Sequence, residues 1–258
     1  MNNKTIGFIG GGRVTRIFLE GWESANFKCN KIIVSDSNAD VLINLKKRFP
    51  DINVTDDNKL PAGQEVVFLA LHPPAIGDFL NQIKTSLKND SVLISLAPKF
   101  SILKISEALG GFNRIIRMNP NASSIINEGF NPVTFSESFS KSEKEELLKF
   151  FSLLGSSPEV DENKIEAFAV ITAMGPTYFW FQLYELKKLA ESFGLNEEDI
   201  KCGITKMITG TVDTMFKSNL APEEVMDLVP TKPIGETEEN IKEIYNLKLK
   251  AIFNKIKS

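Results

Sequence analysis

A chain of 258 residues with 42% hydrophobic and 24% charged residues can bury a core as one large or two ordinary domains. Thirty Lys and Arg against 33 Asp and Glu leave a formal net charge of -3 with no basic block, which argues against a nucleic-acid partner. Cys29, Cys202 and the single histidine, His72, are too few and too scattered for a Cys/His metal site, so no metal is expected.

The first apolar run is interrupted by glycines and is too short for a signal peptide, so a cytoplasmic protein is expected. Strands are predicted at residues 5–9, 31–35, 66–71, 92–97 and 114–118. Amphipathic helices alternate with them: Val14, Ile17, Phe18, Gly21 and Trp22 share one face, as do Ile76, Phe79, Leu80, Ile83 and Leu87. The strands at 66–71 and 92–97 are apolar almost throughout, the pattern of a parallel sheet covered on both faces. A helix is predicted over 142–154, the polar stretch "GSSPEVDENK" follows, and the alternation then stops. The most apolar window, from Ala167 to Phe181, carries no charge but contains Gly175 and Pro176. It is shorter than the roughly 20 residues that span a bilayer and is expected to be a buried helix, so no membrane is implied.

The division expected is a dinucleotide-binding domain over 1–160 and a helical domain over 161–258, with the boundary between Gly155 and Lys164. The fold class is α/β: an N-terminal Rossmann-type doubly wound parallel sheet followed by an all-helical domain. So small a bundle has too little cover for its own apolar face, and a homodimer or larger homo-oligomer through it is expected.

Thr5-Ile6-Gly7-Phe8-Ile9-Gly10-Gly11-Gly12-Arg13-Val14-Thr15 joins the first strand to the first helix. Gly10 and Gly12 match the first two glycines of G-x-G-x-x-G/A, and Thr15 stands at the third. In that motif the first glycine permits the tight turn and the second lets the backbone approach a pyrophosphate seated on the helix N-terminus. Gly10, Gly11, Gly12, Arg13 and Val14 are therefore candidate cofactor residues. Asp36 closes the second strand in "IIVSDSN", placed to accept from a ribose 2′-hydroxyl and to repel a 2′-phosphate, which favours NAD(H) over NADP(H). An Asx turn at Asp36 is the plainer alternative.

Four further stretches carry a resemblance: "FLALHPP" from Phe68, "LISLAPKFS" from Leu93, "IIRMNPN" from Ile115 and "AVITAMGPTYFWF" from Ala169. Their order and spacing resemble pyrroline-5-carboxylate reductase, whose patterns there are A-V-K-P, S-x-A-A-G-x-S, R-x-M-P-N-T-P and S-G-S-x-P-A-Y. The resemblance covers nearly the whole chain. It implies a Rossmann domain with a helical dimerisation domain, a nicotinamide cofactor, and reduction of a small-molecule cyclic imine by hydride transfer. It also implies that Ala70, His72 and Pro73 line the dinucleotide, that Ala97 and Asn121 lie near the nicotinamide and Asn58 near the adenosine ribose, and that Thr172, Met174, Gly175 and Thr177 border the substrate.

The departures fall on the substrate side. Met174 replaces a small hydroxyl residue, and the family's S-P-G-G-T-T becomes Lys232-Pro233-Ile234-Gly235-Glu236-Thr237. In the resembling loop, backbone N–H groups hold the imine's carboxylate and a hydroxyl is the suspected proton source, which makes Lys232 and Gly235 substrate candidates and Glu236 and Thr237 catalytic ones. A carboxylate at Glu236 some 4 Å from that of the substrate would repel it by roughly 4 kcal/mol at an effective dielectric near 20. Alternatively, Glu236, Glu238 and Glu239 simply favour a helix N-terminus with Thr237 as its cap. Three readings follow: a cytosolic imine reductase, another dehydrogenase of the wider superfamily, or a dinucleotide sensor without catalysis.

Overall fold

The computed structural model describes residue 1, residues 3–71 and residues 76–257, without the side chains of Ile76 and Asp78. It divides into two compact units, Met1–Met174 with Ile252–Ser258, and Gly175–Ala251. By contacts, residues 161–174 and the chain's last turn thus group with the first unit, whereas the sequence boundary was drawn where strand alternation ends.

The first unit is built on a sheet of order β3-β2-β1-β4-β5-β6-β8. Its strands are β1 (Thr5–Ile9), β2 (Lys31–Ser35), β3 (Asn53–Thr55), β4 (Val66–Leu69), β5 (Val92–Ser95), β6 (Ile115–Met118) and β8 (Val133–Phe135). All pairings are parallel except β6 with β8, and Phe8 pairs with Phe68 in register. The helices between strands are α1 (Arg13–Ser24), α2 (Ala39–Arg48), α3 (Lys59–Ala62), α4 (Ile76–Ile83) and α5 (Ile102–Ala108). Gly129–Phe130 (β7) and Gly155–Ser156 (β9) form a small parallel pair flanking α6 (Lys141–Phe151).

The period of two along the strands sends alternate residues to opposite faces. Phe8 and Phe68 enter one cluster with Phe18, Trp22 and Phe150, while Ile9, Val67 and Leu69 enter the other with Leu80, Ile83 and Leu93. Phe8 and Phe68 stack at 4.7 Å between ring centres. The strand order 3-2-1-4-5-6 reverses between β1 and β4, which is where ligands of open α/β sheets bind.

The sequence reading missed β3 and β8. β3 is three residues long, with Val54 alone between polar neighbours, and β8 follows a proline turn and is recruited by long-range pairing with the edge of β6.

The window 167–181 is not one continuous helix, and beyond Ala169, Val170 and Gly175 it is not buried. α7 (Ile165–Phe168) passes into a π turn over Ala169–Ala173, where Met174 N–H bonds the Ala169 carbonyl at 3.0 Å, and α8 (Pro176–Ser192) follows. Pro176 has no N–H to give the Thr172 carbonyl, so the regular ladder breaks there. Phe179, Trp180, Phe181 and Tyr184 on α8 are 50%, 47%, 68% and 71% exposed, and no α8 residue is buried. The expectation of a core helix fails because this chain alone has too little apolar surface to lay over it. The second unit continues with α9 (Glu197–Lys217), α10 (Pro222–Asp227) and α11 (Glu238–Ile256), whose end groups with the first unit. Among the described residues no helix is long and apolar enough to cross a membrane.

Candidate functional site

The turn between β1 and α1 is shaped by its glycines in two different ways. Gly10 has φ +102°, and a Cβ there would lie 2.4 Å from the Ala70 carbonyl oxygen, so both conformation and space demand glycine. Around Gly12, a Cβ would meet nothing within 4 Å. No described protein atom requires glycine at Gly12, so the space beside it is open. Thr15 takes the third motif position, fully buried, and its hydroxyl donates to the Gly10 carbonyl at 2.5 Å, closing the turn.

The N-terminus of α1 has no side-chain cap at Gly12 and no acidic residue in its first turn. By contrast Asn38, Ser140 and Asn196 cap α2, α6 and α9, each with acid in the first turn. The first N–H groups of a helix have no intrahelical acceptor and carry the positive end of its dipole. The N–H groups of Gly12, Arg13 and Val14 thus meet no side-chain cap, a geometry compatible with an anion.

Asp36 does two things at once. Its Oδ1 accepts from Asn38 N–H at 2.8 Å, the Asx turn foreseen as the alternative, and its Oδ2 accepts from Gly11 N–H at 2.8 Å. The second bond ties the end of β2 to the glycine turn. Ala70 follows β4 and donates its N–H to the Ile9 carbonyl, and Ala97 follows β5 and is buried. Asn58 precedes α3, half-buried, with no side-chain cap bond. His72 and Pro73 lie outside the described residues.

At the far end of β6 the structure assembles a cluster that the sequence reading did not single out. Arg117, 1% exposed, bonds Glu162 Oε1 through Nη1 at 3.0 Å and Glu166 Oε1 through Nη2 at 2.5 Å, and Glu166 is itself 3% exposed. The signal was an arginine inside "IIRM", since a charge in a strand covered on both faces must find a partner. Asn119 donates to the Ile165 carbonyl. Asn121 donates through Nδ2 to the Thr172 carbonyl at 2.9 Å, satisfying the acceptor that Pro176 leaves open. Its Oδ1 accepts from Ser123 N–H and its N–H bonds Asn131. Asn121 thus joins the carboxyl end of β6 to the π turn, bringing one cofactor candidate onto Thr172, a substrate candidate. The Thr172 hydroxyl donates to the Phe168 carbonyl at 2.8 Å, and Met174 is half-buried.

In the second unit, Gly175 and Thr177 flank the proline that opens α8. The loop carrying the other substrate candidates is a tight turn: Gly235 N–H bonds the Lys232 carbonyl at 3.0 Å and Thr237 N–H the Ile234 carbonyl at 3.0 Å. The Thr237 hydroxyl donates to that same Ile234 carbonyl at 2.7 Å, so it does not cap α11. Lys232, Glu236 and Thr237 are exposed. Among the described residues no group of His, Cys, Asp and Glu could hold a metal ion.

A doubly wound sheet with an uncapped glycine turn at its first helix, followed by a helical region, defines the Rossmann-type class of α/β folds. Residues 5–99 match the family model described as NADP oxidoreductase coenzyme F420-dependent. Over 241 residues, 93% of this chain and 86% of the relative, the sequence is 26% identical to pyrroline-5-carboxylate reductase 2 of Bacillus subtilis. A solved pyrroline-5-carboxylate reductase from Coxiella burnetii is 27% identical with a TM-score of 0.68, covering 99% of this chain and 95% of that one. The Plasmodium falciparum pyrroline carboxylate reductase, solved with NADP bound, shares the fold at a TM-score of 0.82 and 23% identity, over 100% of this chain and 98% of that one. Along nearly its whole length the chain is thus similar to pyrroline-5-carboxylate reductases, at identities near one in four.

Proposed function

We propose that this chain reduces the C=N bond of a cyclic imine, with NADH preferred to NADPH, and works as a homodimer through its helical unit. The observation that carries the reading is the uncapped N-terminus of α1 behind Gly12, tied to Asp36 through Gly11 N–H, in a chain matched along its length to imine reductases. A bound nicotinamide supplies the hydride. The N–H groups of Gly12, Arg13 and Val14 bind the pyrophosphate, with the Arg13 side chain as counter-charge. The carboxylate of Asp36, held by two N–H donors, keeps lone pairs for a ribose 2′-hydroxyl and disfavours a 2′-phosphate. Asn58 serves the adenosine end, and Ala70 and Ala97 are strand-end walls. Asn121 acts through the Thr172 carbonyl, fixing the π turn that carries Met174.

For Thr237 to donate a proton to the product nitrogen, its hydroxyl must leave the Ile234 carbonyl, and an ordered water is the other source. Glu236 is exposed. At the protein surface, with an effective dielectric near 20, a substrate carboxylate within 4 Å of it is repelled by roughly 4 kcal/mol, so an acid-bearing substrate requires the Glu236 side chain to be turned away.

The exposed aromatic face of α8 supports the homodimer, because a soluble monomer rarely leaves Phe181, Tyr184 and Phe193 uncovered. The test is NADH and NADPH oxidation across cyclic imines with and without a carboxylate. Turnover with NADH exceeding NADPH is expected; tight dinucleotide binding without turnover on any imine would replace the reading with a dinucleotide sensor.

A further inference from the structure

Among the described residues, four that are not glycine adopt a left-handed backbone: Asn26, Lys99, Asn127 and Asn219. Asparagine tolerates that region because its short amide bonds locally, and lysine has no such compensation. Lys99 has φ +78°. It lies in Ser95-Leu96-Ala97-Pro98-Lys99-Phe100-Ser101, at the place where the pattern S-x-A-A-G-x-S has its glycine. The turn has kept a glycine's conformation while its residue has become a lysine.

The surroundings hold this strained turn in place. On one side Leu96 N–H bonds the Leu69 carbonyl at 3.0 Å, and Ala97 is buried. On the other, Ser101 caps α5, and Ile102 N–H bonds Glu162 Oε1 at 2.7 Å, the same oxygen that receives Arg117 Nη1. Lys99 is half-buried and, among the described residues, makes neither an ion pair nor a side-chain hydrogen bond. It lies at the carboxyl end of β5, the edge of the sheet outside which open α/β folds bind their ligands. A cation retained there at steric cost, and given no partner among the described residues, points to an anion supplied by a ligand.

We propose that the Lys99 ammonium receives the carboxylate of the substrate. The proposal rests on the imine-reductase reading, and it identifies the substrate class as a cyclic imine bearing an acid group.

Three variants test it: Lys99→Gly and Lys99→Asn, which suit the backbone but remove the charge, and Lys99→Arg, which keeps the charge. The substrates are pyrroline-5-carboxylate and 1-pyrroline, the same ring without the acid. Lys99→Gly and Lys99→Asn should raise KM for the carboxylated imine at least tenfold with little change in kcat. They should leave KM for 1-pyrroline and the dissociation constant of NADH unaltered, without lowering the melting temperature, while Lys99→Arg keeps KM within a few fold. An unchanged KM for the carboxylated imine overturns the proposal. So does an equal loss on both imines, which would place Lys99 on the cofactor or the hydride step, or a fall in melting temperature, which would make it structural. If the wild type reduces neither imine, the reductase reading fails, and calorimetric binding of tetrahydrofuran-2-carboxylate to the NAD-loaded protein decides about Lys99 separately. Binding that weakens tenfold or more in Lys99→Gly supports the anion site; no binding by the wild type, or equal binding by both, removes it.

Discussion

The two units of this chain use similar residues to opposite ends. In the first, Phe8, Phe18, Trp22 and Phe68 are between 0% and 2% exposed and pack edge to face or stacked. In the second, Trp180, Phe181, Tyr184, Phe193 and Phe216 are exposed, and Ile200 is its only buried large hydrophobic among the described residues. A sheet offers two broad faces that helices on either side can cover, so an α/β unit closes its own core. Four helices of which one is a short α10 cannot do so, and the face of α8 stays uncovered, which is what the proposed homodimer would cover. The same difference appears in the polar groups. The first unit buries Arg117 with Glu166, whereas the ion pairs of the second, such as Lys217 with Asp213 and Lys242 with Glu238, are exposed i,i+4 pairs of little weight.

The comparison can be broken most sharply at Arg117. Arg117→Ala leaves Glu166 buried without its charge partner and should destabilise the first unit by about 3–5 kcal/mol, read from chemical denaturation. Lys217→Ala should change the same measurement by less than about 0.5 kcal/mol. Equal effects would mean that burial does not separate the two units as described.

Next in size is the helical face itself. Phe181→Glu combined with Tyr184→Glu should convert a dimer to a monomer in sedimentation at micromolar protein, since each aromatic buried in an interface contributes about 1.5–3 kcal/mol. A wild type that sediments as a monomer would remove the interface and leave the exposed face unexplained.

The glycine turn sharpens the distinction between residues that fold and residues that bind. Gly10→Ala should cost roughly 1–2 kcal/mol or more, given its φ and the Ala70 carbonyl at 2.4 Å. Gly12→Val should leave the melting temperature of the apo protein nearly unchanged and abolish dinucleotide binding, because nothing in the protein lies within 4 Å of its Cβ. Retained binding in Gly12→Val would withdraw the phosphate turn.

The smallest effect concerns pH. The hydroxyl and N–H of Ser140, with Arg114 beside them, lower the Glu143 carboxyl to about 2. Its folded pKa lies below its unfolded one, so its contribution is present above about pH 4.5 and lost as pH falls toward 2. Glu143→Gln should therefore flatten the acid limb of the melting-temperature profile slightly in that window. An unchanged limb would mean the capping box of α6 is loose in solution.

Much of the first unit was legible in the sequence because its signals are local. The strand at 5–9, the turn with Gly10 and Gly12, the helix face through Phe18 and Trp22, and the apolar strands, expected at 66–71 and 92–97 and found at 66–69 and 92–95, each follow from periodicity or from glycine chemistry within a dozen residues. The Asx turn at Asp36 was equally local. What local pattern cannot carry is who stands opposite. That Asp36 also holds Gly11 N–H, that Asn121 takes the carbonyl freed by Pro176, and that Arg117 meets Glu166 are contacts across 25, 51 and 49 residues. The strand β8 is held by distant partners, the edge of β6 on one side and residues 158–160 on the other. Hydrophobicity misled at Ala167–Phe181 for the same reason: an apolar helix face states that it must be covered, and only the tertiary structure shows that this chain by itself does not cover it. The left-handed turn at Lys99 belongs to the same class, since a lysine's identity is written in the sequence but its φ is imposed by β5, α5 and Glu162 around it. Residue type and spacing thus determined the Rossmann scaffold, because covalent geometry and solvent aversion act on neighbours. Long-range pairing decided the site, because hydrogen bonds and buried charges are satisfied only by partners that folding brings together.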